Sequence, residues 1–212
     1  PFSNPKIREA MNKLIDRVYI VQEFYGGCGL PKYTTLQVVG ADFTRYLNTV
    51  NNLKYLYAYN PSQAQLTINA EMLNMGATMG VDNKWQYDGA PVVIIFIIRV
   101  EDERTQIGDY VADQLESIGF TVDRQYKTRT EASPIWNQSE PAEGLWHIYT
   151  GGWVNTAIDR DEAADFGYFY TNLGSGSPLW QAYTPSAEFF SVAERLWNND
   201  FDNMAERDTL FI

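Results

Sequence analysis

The sequence predicts an α/β protein with a mostly parallel sheet covered by helices, and residues 91–122 carry this prediction. Residues 92–98 form an unbroken apolar run rich in β-branched side chains, which is typical of a strand covered on both faces. Apolar residues then recur at helical spacing from position 107 to 118, and Gly119 favours a left-handed helix end. A second strand is predicted to begin at residues 120–122. The three elements together have the length of a right-handed crossover between parallel strands.

Helices are predicted in the chain before this central unit. Asn-Pro pairs at positions 4–5 and 60–61 are typical of helix starts, because asparagine caps a helix and proline needs no hydrogen bond in the first turn. The apolar pattern extends the first of these helices to about residue 25 and ends the second at Gly76. A further helix is predicted between them, over residues 42–57.

The chain after the central unit has weaker signals. Residues 128–144 are polar, contain two prolines and show no periodicity, so they are predicted to form a loop. Residues 145–149 alternate briefly between apolar and polar side chains and predict a third strand. A short helix is expected over residues 160–165, another after Thr184, and a last one over Met204–Phe211.

Composition limits the class of protein. At 212 residues and 24.2 kDa, with 45% hydrophobic residues, the chain is expected to form a single α/β lobe spanning residues 1–212. The net charge of −11 argues against a nucleic-acid partner, which requires a basic surface. The apolar runs are shorter than the roughly 20 residues of a membrane span. The chain begins at Pro1 without a signal peptide and ends on apolar residues without a stop signal, which favours an excised fragment.

Residues suited to catalysis or metal binding are few and dispersed. Cys28, the only cysteine, lies in a glycine-rich turn, but no neighbouring base would activate its thiol, so an inert residue is favoured over a nucleophile. His147, the only histidine, is expected to be a hydrogen-bonded structural residue rather than a metal ligand. Asp159, Asp161 and Asp165 lack the glycine and final glutamate of a calcium loop and indicate a solvated acidic face. No catalytic residue, metal site or cofactor is therefore predicted.

A ligand-binding segment is predicted directly after the third strand. It comprises Gly151, Gly152, Trp153, Val154 and Asn155. Glycines allow another backbone to approach closely, and tryptophan offers a large flat surface with one hydrogen-bond donor. At the carboxyl end of a strand, this combination favours an extended ligand that pairs with the main chain. Packing of Trp153 in the core is the structural alternative.

Five motifs, in a fixed order, resemble those of one known family of proteins. NPKIREAMNKLIDRVYIV resembles their helix with an R-x-A run followed by I/L-D-R, and YNPSQAQ resembles their Y-N-P-x-x-A helix start. IGDYVADQLESIGFTV resembles their amphipathic helix ending in Q-L-x-x-I-G, and LWHIYTGGW resembles their strand running into G-W. NMAERDTLF resembles their closing helix with an arginine before an aromatic residue. Together the motifs cover nearly the whole chain, and the family they resemble is the extracellular solute-binding proteins of family 5.

This resemblance implies the substrate-binding component of an ABC importer, a class that includes oligopeptide-, dipeptide- and nickel-binding proteins. Members have two lobes, so the chain is expected to be the second, carboxyl-terminal lobe of a periplasmic-binding-protein-like fold, truncated at both ends. The implied partners are a small-molecule ligand (a peptide or an oligosaccharide), the permease subunits in the membrane and the missing first lobe. The implied location is periplasmic or extracellular, with a lipoprotein-type membrane anchor in the full-length protein.

The resemblance also implies which residues touch the ligand. In peptide binders of this family the G-W pair lies at the cleft, and an aspartate three residues after the tryptophan holds the amino group of the peptide. Residues 152–154 are the corresponding ligand contacts here, whereas the aspartate position is Thr156. Asn155 and Asp159 are the candidate substitutes, and the departure leans toward an oligosaccharide. A hydrolase that uses Cys28 is the alternative from another class.

Overall fold

The computed structural model describes residues 1–154 and 161–212, and the chain divides into two compact units. The first unit comprises Pro1–Pro31, Tyr57–Trp136 and Gly144–Gly151, and the second comprises Lys32–Leu56, Asn137–Glu143 and Gly152–Ile212. That residues 1–212 form one lobe stays a prediction.

Helices and short strands make up the described chain, which confirms the predicted α/β class. The helices are α1 (Pro5–Leu14), α2 (Arg17–Glu23), α3 (Ala41–Arg45), α4 (Leu47–Leu56), α5 (Pro61–Asn74), α6 (Arg104–Ser117), α7 (Arg129–Gln138), α8 (Ala164–Tyr170), α9 (Pro178–Ala182), α10 (Ala187–Trp197) and α11 (Met204–Phe211). The strands are β1 (Thr78–Met79), β2 (Trp85–Tyr87), β3 (Ala90–Pro91), β4 (Val93–Arg99), β5 (Thr121–Lys127) and β6 (Ile148–Tyr149). None of the helices formed by the described residues combines the length and apolar character that crossing a membrane requires.

A parallel sheet forms the centre of the first unit, with β4 between β5 and β6. In the register of this sheet, Phe96 lies opposite Arg124 of β5 and Ile148 of β6. The apolar side chains of β4 are almost fully buried, as expected for a strand covered on both faces: Ile94, Phe96, Ile97 and Ile98. The helix α6 connects β4 to β5, so the predicted strand–helix–strand unit is confirmed. The third strand is also present, although β6 is shorter than the predicted five residues.

Two glycines allow α6 to pack closely on this sheet. A Cβ atom at Gly108 would lie 2.6 Å from Cγ2 of Ile98, so a side chain there would push α6 away from β4. Gly119 has a φ of +99°, which confirms the predicted left-handed end of the helix. The chain can therefore turn directly from α6 into β5.

A small antiparallel sheet, in the order β1–β2–β3, precedes the parallel one. The hairpin of β2 and β3 turns at Asp88 and Gly89. These residues have φ values of 50° and 78° and connect Tyr87 to Ala90, as in a two-residue hairpin turn. The paired strands were too short to leave a periodic signal. Their main contribution to the core is Trp85, which is 2% exposed.

The predicted first helix over residues 5–25 was wrong in its length, because the structure breaks it into α1 and α2. Asp16 causes the break: its carboxylate accepts hydrogen bonds from the backbone N–H groups of Val18 and Tyr19 and caps α2. The Asn4 cap of α1 is confirmed, since its side chain accepts the N–H of Lys6 at 2.9 Å. The helix α5 is likewise confirmed, with Asn60 as its cap.

The predicted helix over residues 42–57 is also divided, into α3 and α4. The division falls at Tyr46, whose side chain is buried and whose ring stacks on Phe211 with centroids 4.2 Å apart. The apolar periodicity continues across Tyr46, so the local sequence does not indicate a break there. The break depends on the contact with α11, which is distant in the sequence.

The predicted loop over residues 128–144 was wrong, because most of it forms α7. The signal was a capping box that the polar composition obscured. Thr128 Oγ1 accepts the N–H of Glu131 at 3.3 Å, and the Glu131 carboxylate accepts the N–H of Thr128 at 2.8 Å. Pro134 is accommodated inside this helix.

The second unit is helical in its described residues. The helix predicted to follow Thr184 is α10, capped by Ser186, and α11 has its predicted bounds. The short helix expected over residues 160–165 begins later, as α8, and contains the aromatic residues that follow. Arg160 lies outside the described residues. Helices α8 and α10 pack against each other, with Ala193 and Leu196 each 1% exposed.

Candidate functional site

The predicted ligand-binding segment begins two residues after β6. In the first unit, Thr150 continues from this strand: its N–H donates to Ile97 O at 3.1 Å, and its hydroxyl oxygen accepts the N–H of Arg99 at 2.8 Å. Gly151 therefore leaves the sheet at the carboxyl ends of parallel strands, where ligands of α/β proteins bind. Ligand binding by Gly151 stays a prediction.

The remaining described residues of the segment, Gly152, Trp153 and Val154, belong to the second unit. The Trp153 side chain is 53% exposed, so it is not the core residue of the structural alternative. Its ring meets the ring of Phe169 edge to face, with centroids 5.3 Å apart. Val154 is fully exposed. The predicted binding residues Asn155 and Asp159, together with Thr156, lie outside the described residues.

A buried ion-pair cluster in the second unit was not anticipated from the sequence. The guanidinium of Arg207 donates to both carboxylate oxygens of Asp42, at 2.9 and 2.8 Å, and to the hydroxyl of Tyr46 at 2.8 Å. It also donates to Asp161 at 2.7 Å. Arg207 and Asp42 are 3% and 4% exposed, respectively, so both charges depend on this pairing. Asp161 is accordingly an ion-pair partner and not simply part of a solvated acidic face.

Glu162 extends the cluster into the polypeptide that precedes α8. Its backbone N–H donates to Asp42 Oδ2 at 2.7 Å, and its carboxylate accepts the N–H of Gln37 at 2.7 Å. Burial raises the pKa of the Glu162 carboxyl. The cluster thus fixes the start of α8, the helix that contains Phe169.

Cys28 and the possible metal ligands are the other candidates considered from the sequence. Cys28 is exposed, and its thiol contacts the carbonyl oxygen of Gly26 at 3.9 Å. Within residues 1–154 and 161–212, no group of three or more His, Cys, Asp or Glu side chains is arranged to hold a metal ion.

His147 is a hydrogen-bonded structural residue, as predicted. The imidazole Nδ1 accepts the backbone N–H of Ile95 at 2.9 Å. The backbone N–H of His147 donates to the carbonyl oxygen of Ile95, also at 2.9 Å. Both bonds join the start of β6 to β4. The first requires Nδ1 to be unprotonated.

We expect the stability of the first unit to fall on mild acidification because of His147. Partial burial, and secondarily the charge of the Pro1 amine, lower the pKa of the imidazole in the folded state. The stabilising contribution is then complete above the unfolded pKa of about 6.5 and is lost as the pH falls below that value toward the folded pKa. A titration of the His147 Hε1 signal by NMR should give a midpoint below 6.5, and urea unfolding should show lower stability at pH 5.5 than at pH 7.5.

The matched control is His147→Asn, because an amide oxygen can replace Nδ1 as the acceptor without titrating. This variant should lose the part of the pH dependence that follows the Hε1 signal. A midpoint above 6.5 in the wild-type chain would contradict the expectation.

Comparison with known proteins places the chain among solute-binding proteins. The family model described as bacterial extracellular solute-binding proteins, family 5 Middle, matches residues 1–175. A search of curated protein sequences gives no match.

Solved structures of the same fold cover nearly the whole chain. An oligopeptide-binding protein from Thermotoga maritima with bound mannohexaose has a TM-score of 0.72 at 17% identity, over 99% of this chain and 38% of that chain. AppA from Bacillus subtilis, in complex with a nonapeptide, has a TM-score of 0.70 at 17% identity, with the same coverages of 99% and 38%. NikA from Brucella suis, in complex with Fe(III)-EDTA, has a TM-score of 0.66 at 16% identity, again over 99% and 38%. The chain therefore spans 38% of the length of these structures, and at such identities the likeness shows the fold.

Proposed function

Because this chain belongs to family 5 of the bacterial extracellular solute-binding proteins, we propose that it is part of the ligand-capturing component of an ABC importer. The observation that supports this most directly is the family match over residues 1–175. In this proposal the chain is the second lobe of a longer protein. That protein lies in the periplasm or at the cell surface, and its partners are permease subunits. A lipoprotein-type anchor would then belong to that longer protein.

In this proposal the ligand is captured without a bond being made or broken. The backbone of Gly151, Gly152 and Val154 pairs with an extended ligand, and the half-exposed ring of Trp153 covers it. Asn155 and Asp159 supply polar contacts. Closure of a second lobe over the ligand excludes water and adds a second wall of contacts.

The ligand proposed first is a peptide or a similar extended small solute. An oligosaccharide is the second candidate, favoured by two observations. The resemblance to family 5 implies an aspartate in peptide binders at the position that Thr156 occupies here. In addition, one of the similar structures contains mannohexaose although its protein is described as oligopeptide-binding.

The test is to measure ligand binding by this chain alone and by the longer protein that contains it. We expect micromolar affinity, about 8 kcal/mol, for the longer protein. The isolated chain should bind in the millimolar range, because removing one wall of contacts leaves the loss of translational freedom uncompensated. Losing about 4 kcal/mol changes the dissociation constant roughly a thousandfold. Isothermal titration calorimetry with pentapeptides and mannohexaose measures both constants.

Injection of each ligand into buffer without protein gives the baseline heats of dilution. A micromolar, one-to-one ligand of the isolated chain would contradict the two-lobe part of the proposal. Absence of binding by the longer protein to peptides and to oligosaccharides would contradict the assigned function. Permease and ATPase genes next to the gene for this protein would support it independently.

A further inference from the structure

Trp153 is the exposed end of a continuous row of aromatic rings in the second unit. Phe169 contacts Trp153 at 5.3 Å and also contacts its neighbours Tyr168 and Tyr170, at 4.9 and 6.4 Å between centroids. Tyr170 in turn meets Phe189 of α10 edge to face at 6.1 Å. The row therefore runs from the predicted ligand-binding segment across α8 to α10. Four of the five residues at positions 166–170 are aromatic.

The row is accessible at several points along its length. Trp153 is 53% exposed, Tyr170 is 45% exposed and Phe189 is 36% exposed. Phe169 between them is half-buried, so it supports the outer rings rather than standing alone in solvent. Aromatic rings that are held in place and partly exposed offer a large contact area at a low cost in conformational entropy.

The helix beneath the row is rigidly held. At its amino end, Glu162 and Asp161 are bound by the cluster around Arg207. At its carboxyl end, the indole N–H of Trp180 donates to Tyr168 O at 2.7 Å. A Cβ atom at Gly174 would lie 2.0 Å from the same carbonyl oxygen, so the turn after α8 packs directly on the helix backbone. The rings are thus pre-organised before any ligand arrives.

The row is uncharged in a strongly acidic chain. The Tyr170 hydroxyl is protonated at neutral pH, because the ordinary pKa of tyrosine is about 10. Partial burial, and secondarily the negative charge of Asp165, raise the pKa of Tyr170 further. The net charge of −11 disfavours anionic ligands. Flat apolar surfaces with hydrogen-bonding groups at their edges match rings of the same character, namely a hexose unit or an aromatic side chain.

We propose that Trp153 and Tyr170, two exposed rings that meet the intervening Phe169 at interplanar angles of 78° and 56°, form an aromatic platform of separate faces. The platform binds an uncharged ring of the ligand and so determines which extended solutes are captured. This inference rests on the proposed solute-binding function and adds to it residues of α8 and a chemical class of ligand. The ring belongs either to a sugar unit of an oligosaccharide or to an aromatic side chain of a peptide. The platform is a specificity element, whereas the glycine backbone at residues 151–152 accepts any extended ligand.

Saturation-transfer difference NMR on the 212-residue chain tests the proposal, because it detects the millimolar binding expected here. The probes are mannohexaose, a pentapeptide with one phenylalanine, pentaalanine and pentalysine. We expect transfer to the ring protons of mannohexaose or of the phenylalanine peptide, and the probe that responds identifies the source of the ring. Trp153→Ala should weaken this binding about tenfold, which corresponds to about 1.4 kcal/mol.

Variants at Tyr170 separate the ring from its hydroxyl. Tyr170→Leu should weaken binding roughly threefold, whereas Tyr170→Phe should retain it, and both keep an apolar side chain against Phe189. Tyr183→Ala is the matched control, since Tyr183 is 48% exposed in the same unit and is no member of the row. Circular dichroism establishes that each variant is folded.

Several results would overturn the platform. One is that pentaalanine binds as tightly as mannohexaose or the phenylalanine peptide. Another is that pentalysine responds and these two probes do not. A third is that Tyr183→Ala and Tyr170→Leu lose the same amount of affinity. If the variants leave affinity unchanged while the longer protein still binds peptides or sugars, the platform is wrong and the proposed function stands. Failure of every probe to bind both the chain and the longer protein would overturn both.

Discussion

Replacing Arg207 by methionine should destabilise the second unit by about 3–5 kcal/mol, the usual cost of removing one partner of a buried ion pair. Methionine roughly preserves the length of the side chain but leaves the Asp42 carboxylate, 4% exposed, without its positive partner. The hydrogen bonds to Tyr46 and Asp161 are lost as well. For a chain of this size the midpoint of thermal unfolding should fall by roughly 6–20 °C.

Two further variants identify the buried charge as the cause. Arg45→Met removes a guanidinium from an ion pair with Asp208, on the same pair of helices, whose side chains are 40% and 34% exposed. This variant should change the midpoint little, because solvent screens exposed pairs. Adding Asp42→Asn to Arg207→Met should recover part of the loss, since it removes the unpaired charge and keeps an acceptor for the N–H of Glu162. Equal destabilisation by Arg45→Met and Arg207→Met would contradict this explanation.

Replacing Trp85 by alanine should destabilise the first unit by about 3–5 kcal/mol, as is typical of large aromatic residues removed from a core. Trp85 is 2% exposed, and its indole N–H donates to the carbonyl oxygen of Ile118 at 3.0 Å. The substitution therefore creates a cavity and leaves a buried acceptor unpaired. Urea unfolding followed by circular dichroism measures the change in free energy.

Tyr87→Ala is the control for Trp85, because Tyr87 is on the same strand but is 53% exposed. Its effect should stay within about 0.5 kcal/mol, as for most surface positions. Trp85→Phe should be intermediate, since it retains a ring but lacks the indole donor. A loss for Trp85→Ala no greater than that for Tyr87→Ala would show that the small antiparallel sheet does not contribute to the core of the first unit.

The central strand–helix–strand unit was predictable from the sequence because its signals are local. An apolar run, a helical stripe and a glycine at the helix end each lie within a few residues, and the structure has β4, α6 and β5 at the expected places. Local signals also existed where the prediction failed. The Asp16 cap that starts α2 was readable, but an apolar pattern that continues past Asp16 outweighed it. The capping box of Thr128 and Glu131 was readable too, but the polar composition of residues 128–144 outweighed it.

The candidate site was likewise predictable only in part. That Gly151 and Gly152 follow a strand of the parallel sheet was predictable, because it depends on a short stretch of chain. The row from Trp153 through Phe169 to Phe189 was not, since it joins three separate segments.

The sequence by itself determined the α/β class, the central unit, the family resemblance and the position of the glycine–tryptophan segment. Only the tertiary structure decided that Arg207 pairs with Asp42, 165 positions earlier in the chain, and that this pair holds the start of α8. The physical reason is that a charge in the interior is stable only beside its partner, and no local pattern records which distant residue that partner is. Contacts with distant chain segments likewise decided the division of the predicted helix at Tyr46 and the burial of Trp85.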